Sequence, residues 1–145
     1  MPLTIDIAEA VTRQLNDEQG SFSQPFVAVR HSRPSFELAE LKELRVSVVP
    51  RAISIVNLGR SLNQHDVSVD VAVQKKLSPQ TQTAELDELM ELLEQIGDCL
   101  RLKRLSTMPT AAWVRSENSP IYSPEHLEQH NVFTSVLTIT FRVAR

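Results

Sequence analysis

Apolar and polar positions along this chain follow two different periods, and the switches between them mark out its elements. In residues 6–15, Ile7, Val11 and Leu15 recur every four positions while Glu9, Thr12, Arg13 and Gln14 fill the other side, the pattern of an amphipathic helix. Asp6 followed by Glu9 predicts a capping box at its start, and Gly20 predicts a C-terminal turn behind it. A longer stripe, Leu86, Leu89, Leu93, Ile96 and Leu100, steps by threes and fours and is widened by Met90, Leu92 and Cys99. Thr83 is the expected N-cap of this helix. Glu85, Asp87 and Glu88 crowd its first turns and Arg101, Lys103 and Arg104 its last, which suits the helix dipole at both ends.

Period-two alternation predicts the strands. Val67, Val69, Val71 and Val73 point one way and Ser68, Asp70 and Ala72 the other, as in a sheet with one covered face and one wet face. In the last segment, 133–143, Phe133, Ser135, Leu137, Ile139, Phe141 and Val143 share a face opposite Thr134, Thr138, Thr140 and Arg142. Residues 26–32 follow Pro25 and read as a first strand, with Pro34 breaking the pairing afterwards. In 44–49, Leu44, Val46 and Val48 alternate with Arg45 and Ser47 until Pro50 stops the run; 52–56 reads as a further strand, ended by the turn residues Asn57-Leu58-Gly59. Residues 111–115 make a short strand. Ser123-Pro124-Glu125 places an N-cap, a first-turn proline and an acid ahead of a brief helix through Gln129. Residues 36–43 fit either a helical turn or a loop.

This order of elements predicts an α+β fold: an antiparallel or mixed β-sheet with one long and one N-terminal helix packed on one face. There is no βαβ alternation and no internal repeat. At 145 residues, 41% hydrophobic and 23% charged, the chain fits one domain spanning 1–145. A net charge of −3 argues against a domain built to neutralise phosphates, so no specific nucleic-acid binding is expected. The nearest basic cluster, Arg30-His31-Ser32-Arg33, lacks an adjacent aromatic and reads as a solvated strand end. Cys99 stands alone, which excludes an intrachain disulfide and a multi-thiolate zinc site and suits a reducing compartment. No segment has the pattern of a secretory signal or the length of a membrane span, so the chain is expected to be made in the cytoplasm without membrane attachment.

Catalytic chemistry is hard to place on this sequence. The three glycines, Gly20, Gly59 and Gly97, are scattered singly, so no loop can wrap a phosphate. No serine sits in a Gly-x-Ser-x-Gly elbow, and Cys99 falls beside an apolar helical stripe, where a thiol packs inertly. His126-Leu127-Glu128-Gln129-His130 spaces two histidines four apart, but Leu127 occupies the position where zinc proteases hold their glutamate, and the pair reads as a surface feature. Asp87, Glu91, Glu94 and Asp98 form a carboxylate stripe along the long helix, either meeting water or serving as a docking or repulsive surface. No catalytic, metal-binding or cofactor-binding residue is assigned, and no cofactor is expected. Open strand edges and three long polar loops, 14–25, 58–66 and 116–124, are left as the means of reaching partners.

In order and local texture the chain resembles the small tail-terminator, or tail-completion, proteins of long-tailed bacteriophages and prophages. The resemblance rests on the N-terminal amphipathic helix, Leu44-Arg45-Val46-Ser47-Val48-Val49-Pro50, Arg60 in the following loop, the strand 66–73 and the Glu- and Leu-rich helix to Leu105. It closes on Tyr122-Ser123-Pro124-Glu125-His126-Leu127 and the segment 133–141. It implies a virion structural protein of the tail or neck, assembled in the host cytoplasm as a homo-oligomeric ring, typically a hexamer. Such a ring caps the tail tube, contacts the tail tube protein and the head-connector or neck protein, and lets DNA pass. Position in the chain nominates Arg51, Arg60, Ser116, Glu117, Asn118 and Ser119 as subunit or partner contacts. Two other readings compete: a neck or head-closure connector, and a small α+β enzyme or ligand-binding domain with a pocket between sheet and long helix served by His65, His126 or His130.

Overall fold

The computed structural model describes residues 2–31, 42–101, 104–118 and 121–145. Along the chain the elements are α1 (Leu3–Asp17), β1 (Ala28–Arg30), β2 (Arg45–Asn57), β3 (Asn63–Lys76), α2 (Gln82–Leu100), β4 (Arg104–Leu105), β5 (Met108–Glu117), α3 (Pro124–His130) and β6 (Val132–Ala144). The strands form a six-stranded sheet in the order β1-β2-β3-β6-β5-β4. Only β1 and β2 run parallel; every other pair is antiparallel, so the sheet is mixed and the fold is α+β, as the element order implies.

The inner face of this sheet holds the core. Val67, Val69, Val71 and Val73 of β3 expose no surface, and neither do Phe133, Ile139 and Phe141 of the neighbouring β6. Ile7, Val11 and Leu15 of α1 and Leu89, Leu92, Ile96 and Leu100 of α2 belong to the same buried cluster. Each such side chain contributes about 1.5–3 kcal/mol by leaving water. The outer face is polar over residues 66–70 and 138–142: Ser68 and Thr140 share a 3.0 Å hydrogen bond, Thr138 Oγ1 donates to Asp70 at 2.7 Å, and Arg142 pairs with Asp66 at 2.9 Å.

Packing moves several boundaries from where local signals put them. Helix α1 begins at Leu3, ahead of the expected Asp6–Glu9 capping box, and no side chain caps it; buried Leu3 extends the Ile7 stripe by one turn. Helix α2 starts at Gln82 with Thr81, not Thr83, at its N-cap, because the Glu85 carboxylate accepts from both Ser78 N and Thr81 Oγ1 at 3.1 Å. It ends at Leu100 with no basic residue in its last turn: Arg101 is extended, Arg104 belongs to β4, and Lys103 lies outside the described residues. Leu105 is only 2% exposed, so the chain leaves the helix in order to bring this side chain into the core. At α3, Ser123 caps as expected, accepting from His126 N, and Asn131 closes the helix in the left-handed region at φ 53°.

The largest departure is in the second strand. Residues 44–49 and 52–56 are one strand, β2, which runs through Pro50 with a bulge between Pro50 and Ala52. Proline cannot donate to a ladder, but a bulge tolerates it. The extra residue, Arg51, shifts the alternation by one: Val46 and Val48 pair with Val73 and Val71, whereas Ile53 pairs with Val67, so even positions before the bulge and odd positions after it share the inner face. The first strand is correspondingly short, three residues instead of the expected 26–32; Ser32 and Pro34 lie outside the described residues, as do most of 36–43. Among the described residues no helix is long and apolar enough to cross a membrane.

Truncating Ile96, which is fully buried, to alanine is expected to cost about 2–5 kcal/mol, whereas Ile55→Ala should stay within about 0.5 kcal/mol. Urea unfolding followed by circular dichroism on both variants checks the contrast.

Candidate assembly surfaces

Hairpin β2–β3 outruns the helices. Every residue of β2 from Arg51 to Asn57 is exposed, and the loop 58–62 is exposed as well. β1 pairs only with Val46, Ser47 and Val48, so beyond Val49 the outer edge of β2 has no neighbouring strand among the described residues. Five large apolar side chains sit on this hairpin in water: Ile53, Ile55, Val56, Leu58 and Leu62. Ile55 is 58% exposed although it pairs with half-buried His65, because β2 is here the bare margin of the sheet; Val143, one strand further in along the same row, is buried. Val27 and Val29 are exposed at the other end of β2, where Val29 pairs with Ser47, and the remaining exposed large hydrophobic among the described residues is Ile121. Monomeric surfaces scatter such residues singly; a concentration along one margin marks an interaction site.

The nominated residues fall into two groups. Arg51 and Arg60 share the hairpin. Arg51, the bulge residue, reaches back across β3 to Asp70 at 3.3 Å, and Arg60 stands at the exposed tip between Leu58 and Leu62. The tip is shaped by a local turn in which Gly59 N donates to Asn57 Oδ1 at 2.8 Å and Leu58 N donates to Leu62 O at 3.0 Å. Ser116, Glu117 and Asn118 lie at the end of β5, and Ser119 lies outside the described residues. Their side chains diverge by strand alternation. Glu117 joins Arg51, Arg115, Ser68, Thr138 and Thr140 around a polar depression of about 250 Å³ on the outer face, while Ser116 and Asn118 line a groove against α2.

That groove, about 720 Å³, runs between α2 and the β5–β6 part of the inner face. Leu93, Gly97 and Leu137 form its floor, with Met90 and Ile121 beside them. The helix comes close there: a Cβ on Gly97 would meet Leu137 Cδ2 at 3.8 Å, ordinary contact distance. Asp87, Glu91, Glu94 and Asp98 line the helical wall, so the carboxylate stripe borders a recess instead of facing open water. Asp98 is paired with Arg101 at 3.4 Å. None of the four histidines lines the groove.

The expected polar arms are shorter than predicted and largely tied down. Of residues 14–25, Gln14 to Asp17 are helical, Gln19–Ser21 form a 3-10 turn, and Gln19 accepts from Phe26 N at 3.0 Å. Asn16 accepts from Ala28 N at 2.8 Å and donates to Ala28 O at 3.0 Å, which fastens α1 to β1. Residues 63–66 belong to β3, and Asn118 is anchored by donating to Ser135 Oγ and Val136 O. Cys99 is buried, and its thiol donates to Glu18 Oε2 at 2.6 Å. His126 Nδ1 lies 2.9 Å from Thr134 Oγ1, and His130 is exposed. No group of three metal-ligating side chains occurs among the described residues. No protein-family model and no curated protein matches the chain.

Near the hairpin base, the Arg142 guanidinium hydrogen-bonds Asp66 and holds its carboxyl below the usual carboxylate range, against a smaller opposing effect of burial. A depressed folded-state pKa stabilises above the unfolded value of about 3.9, and that stability is lost as pH falls through the folded value. Asp66→Asn should therefore flatten the acid limb of the stability curve below about pH 4 while changing the slope near neutrality little. Thermal melts across pH 2–7 check this.

Proposed function

We propose that the chain is a structural assembly subunit of the phage tail-terminator type: a virion protein that forms a homo-oligomeric ring, of six copies in this reading, on the tail tube and presents a surface to the head connector. Its contribution is shape, and no bond is made or broken by its side chains. The observation that carries the reading is the group of exposed Ile53, Ile55, Val56, Leu58 and Leu62 on one hairpin, beside an unpaired strand edge. Isolated, such an uncharged edge invites aggregation; natural sheets blunt theirs with charges or prolines. Between Ala52 and Leu58 there is neither, which fits a margin covered by protein in the working state. The neck or head-closure reading shares this surface and differs only in the neighbour that covers it.

The enzyme or ligand-binding reading needs converging acid-base groups in an enclosed site. The groove beside α2 holds carboxylates and one arginine, opens to solvent, and receives none of the histidines that reading invoked.

Native mass spectrometry of the purified chain, alone and with tail tube protein, tests the proposal. A six-copy mass is expected, and Ile53→Lys with Ile55→Lys should weaken assembly at least tenfold (on the order of 1.4 kcal/mol) without lowering the melting temperature. A chain that stays monomeric under both conditions overturns it.

A further inference from the structure

We propose that the β2–β3 hairpin tip of one copy inserts into the acid-rimmed groove beside α2 of the next copy, and that this head-to-tail contact is the repeating joint of the assembly; the inference rests on the self-assembly reading above and deepens it. The two surfaces are complementary in chemistry. On the tip, exposed Leu58 and Leu62 flank Arg60. Exposed Arg145 lies at the base of the same tip, its backbone exchanging two 2.9 Å hydrogen bonds with Asn63. In the groove, the apolar floor of Leu93, Gly97 and Leu137 lies beneath Asp87, Glu91, Glu94 and Asp98. Two leucines and two cations thus meet an apolar trough and a run of carboxylates.

The acids make the groove selective. Helix rise of 1.5 Å per residue spreads Asp87 to Asp98 over about 17 Å. Only Asp98 has an ion-pair partner among the described residues, the nearby Arg101. Carboxylates three and four positions apart repel one another along the helix; a cationic insert turns that repulsion into attraction, and an anionic ligand is refused. A volume of about 720 Å³ is within the usual range of clefts that bury a drug-sized molecule.

Only another copy can supply this insert. The tip lies beside Arg145, at the far end of β6, whereas the groove floor is at Leu137, eight residues back along the strand, or about 26 Å. In the proposed joint each copy engages one neighbour with its tip and another with its groove, so the contact is heterologous. Repeated that way, it closes a ring or extends a filament.

Two variants test the joint. The tip variant carries Leu58→Ser, Arg60→Glu and Leu62→Ser; the groove variant carries Glu91→Lys and Glu94→Lys. All five positions are exposed, so both should melt like the wild type by circular dichroism, and a variant that does not is replaced by its single charge reversal, Arg60→Glu or Glu94→Lys. Each variant alone should be monomeric in sedimentation and native mass spectrometry, because each lacks one half of the joint. Mixing them, which leaves one intact tip and one intact groove, should give one-to-one dimers and nothing larger. If both variants assemble as the wild type does, the joint is wrong and the ring reading survives. If the mixture dimerises but the wild type forms open filaments, the joint is right and the closed ring falls. A mixture that remains monomeric overturns the joint.

Discussion

Burial of a single sheet face organises this protein. The valines of β3 and the aromatic and aliphatic residues of β6 form an apolar sheet surface, and α1 and α2 are held by what their own apolar stripes gain from covering it. The neighbouring outer face carries Ser68, Asp66, Asp70, Thr138, Thr140 and Arg142, which satisfy one another across strands and have no apolar surface to offer a second helical layer. The outer face is buried only in part, at Ser47, Val49, Ala72 and Gln74, and the sheet's margins are where its cover is thinnest.

The covering helices are shorter in reach than the strands. Strand β2 continues past this cover, so that its inner-face alternation carries on into solvent as Ile53 and Ile55, while Phe141 and Val143 of β6 in the same rows stay buried. The bulge at Arg51 makes this continuation apolar on the inner side, since without the inserted residue those isoleucines would fall on the polar face. Elsewhere α2 comes within contact distance of β6 at Gly97 and Leu137, beside the trough that its own acids line.

Several elements were legible from residues alone because their signals are local and repeated. The α2 stripe, the β3 valines and every inward residue of β6 are at the positions their periodicity predicts. The carboxylate stripe was equally visible, but its setting was not, since nothing in residues 87–98 says that Ser116 and Asn118 arrive opposite. The β2 bulge had a signal that a strand-by-strand reading missed: apolar positions are even at Val46 and Val48 and odd at Ile53 and Ile55, a change of phase at a proline. Read as a break, it gives two strands; read as one inserted residue, it gives the long hairpin.

By itself the sequence determined which faces are apolar, how long the helical and strand periods persist, and that its three glycines stand singly and its cysteine alone. Each of these depends on neighbours within a few residues, where backbone geometry makes spacing equivalent to direction. The order of the strands, the placing of Arg51 beside Glu117 and of Ser116 against α2, and the ends of the sheet left bare were decided only in the tertiary structure. Those depend on pairings between segments tens of residues apart, whose register follows from the burial of the whole inner face at once and is carried by no single stretch of chain.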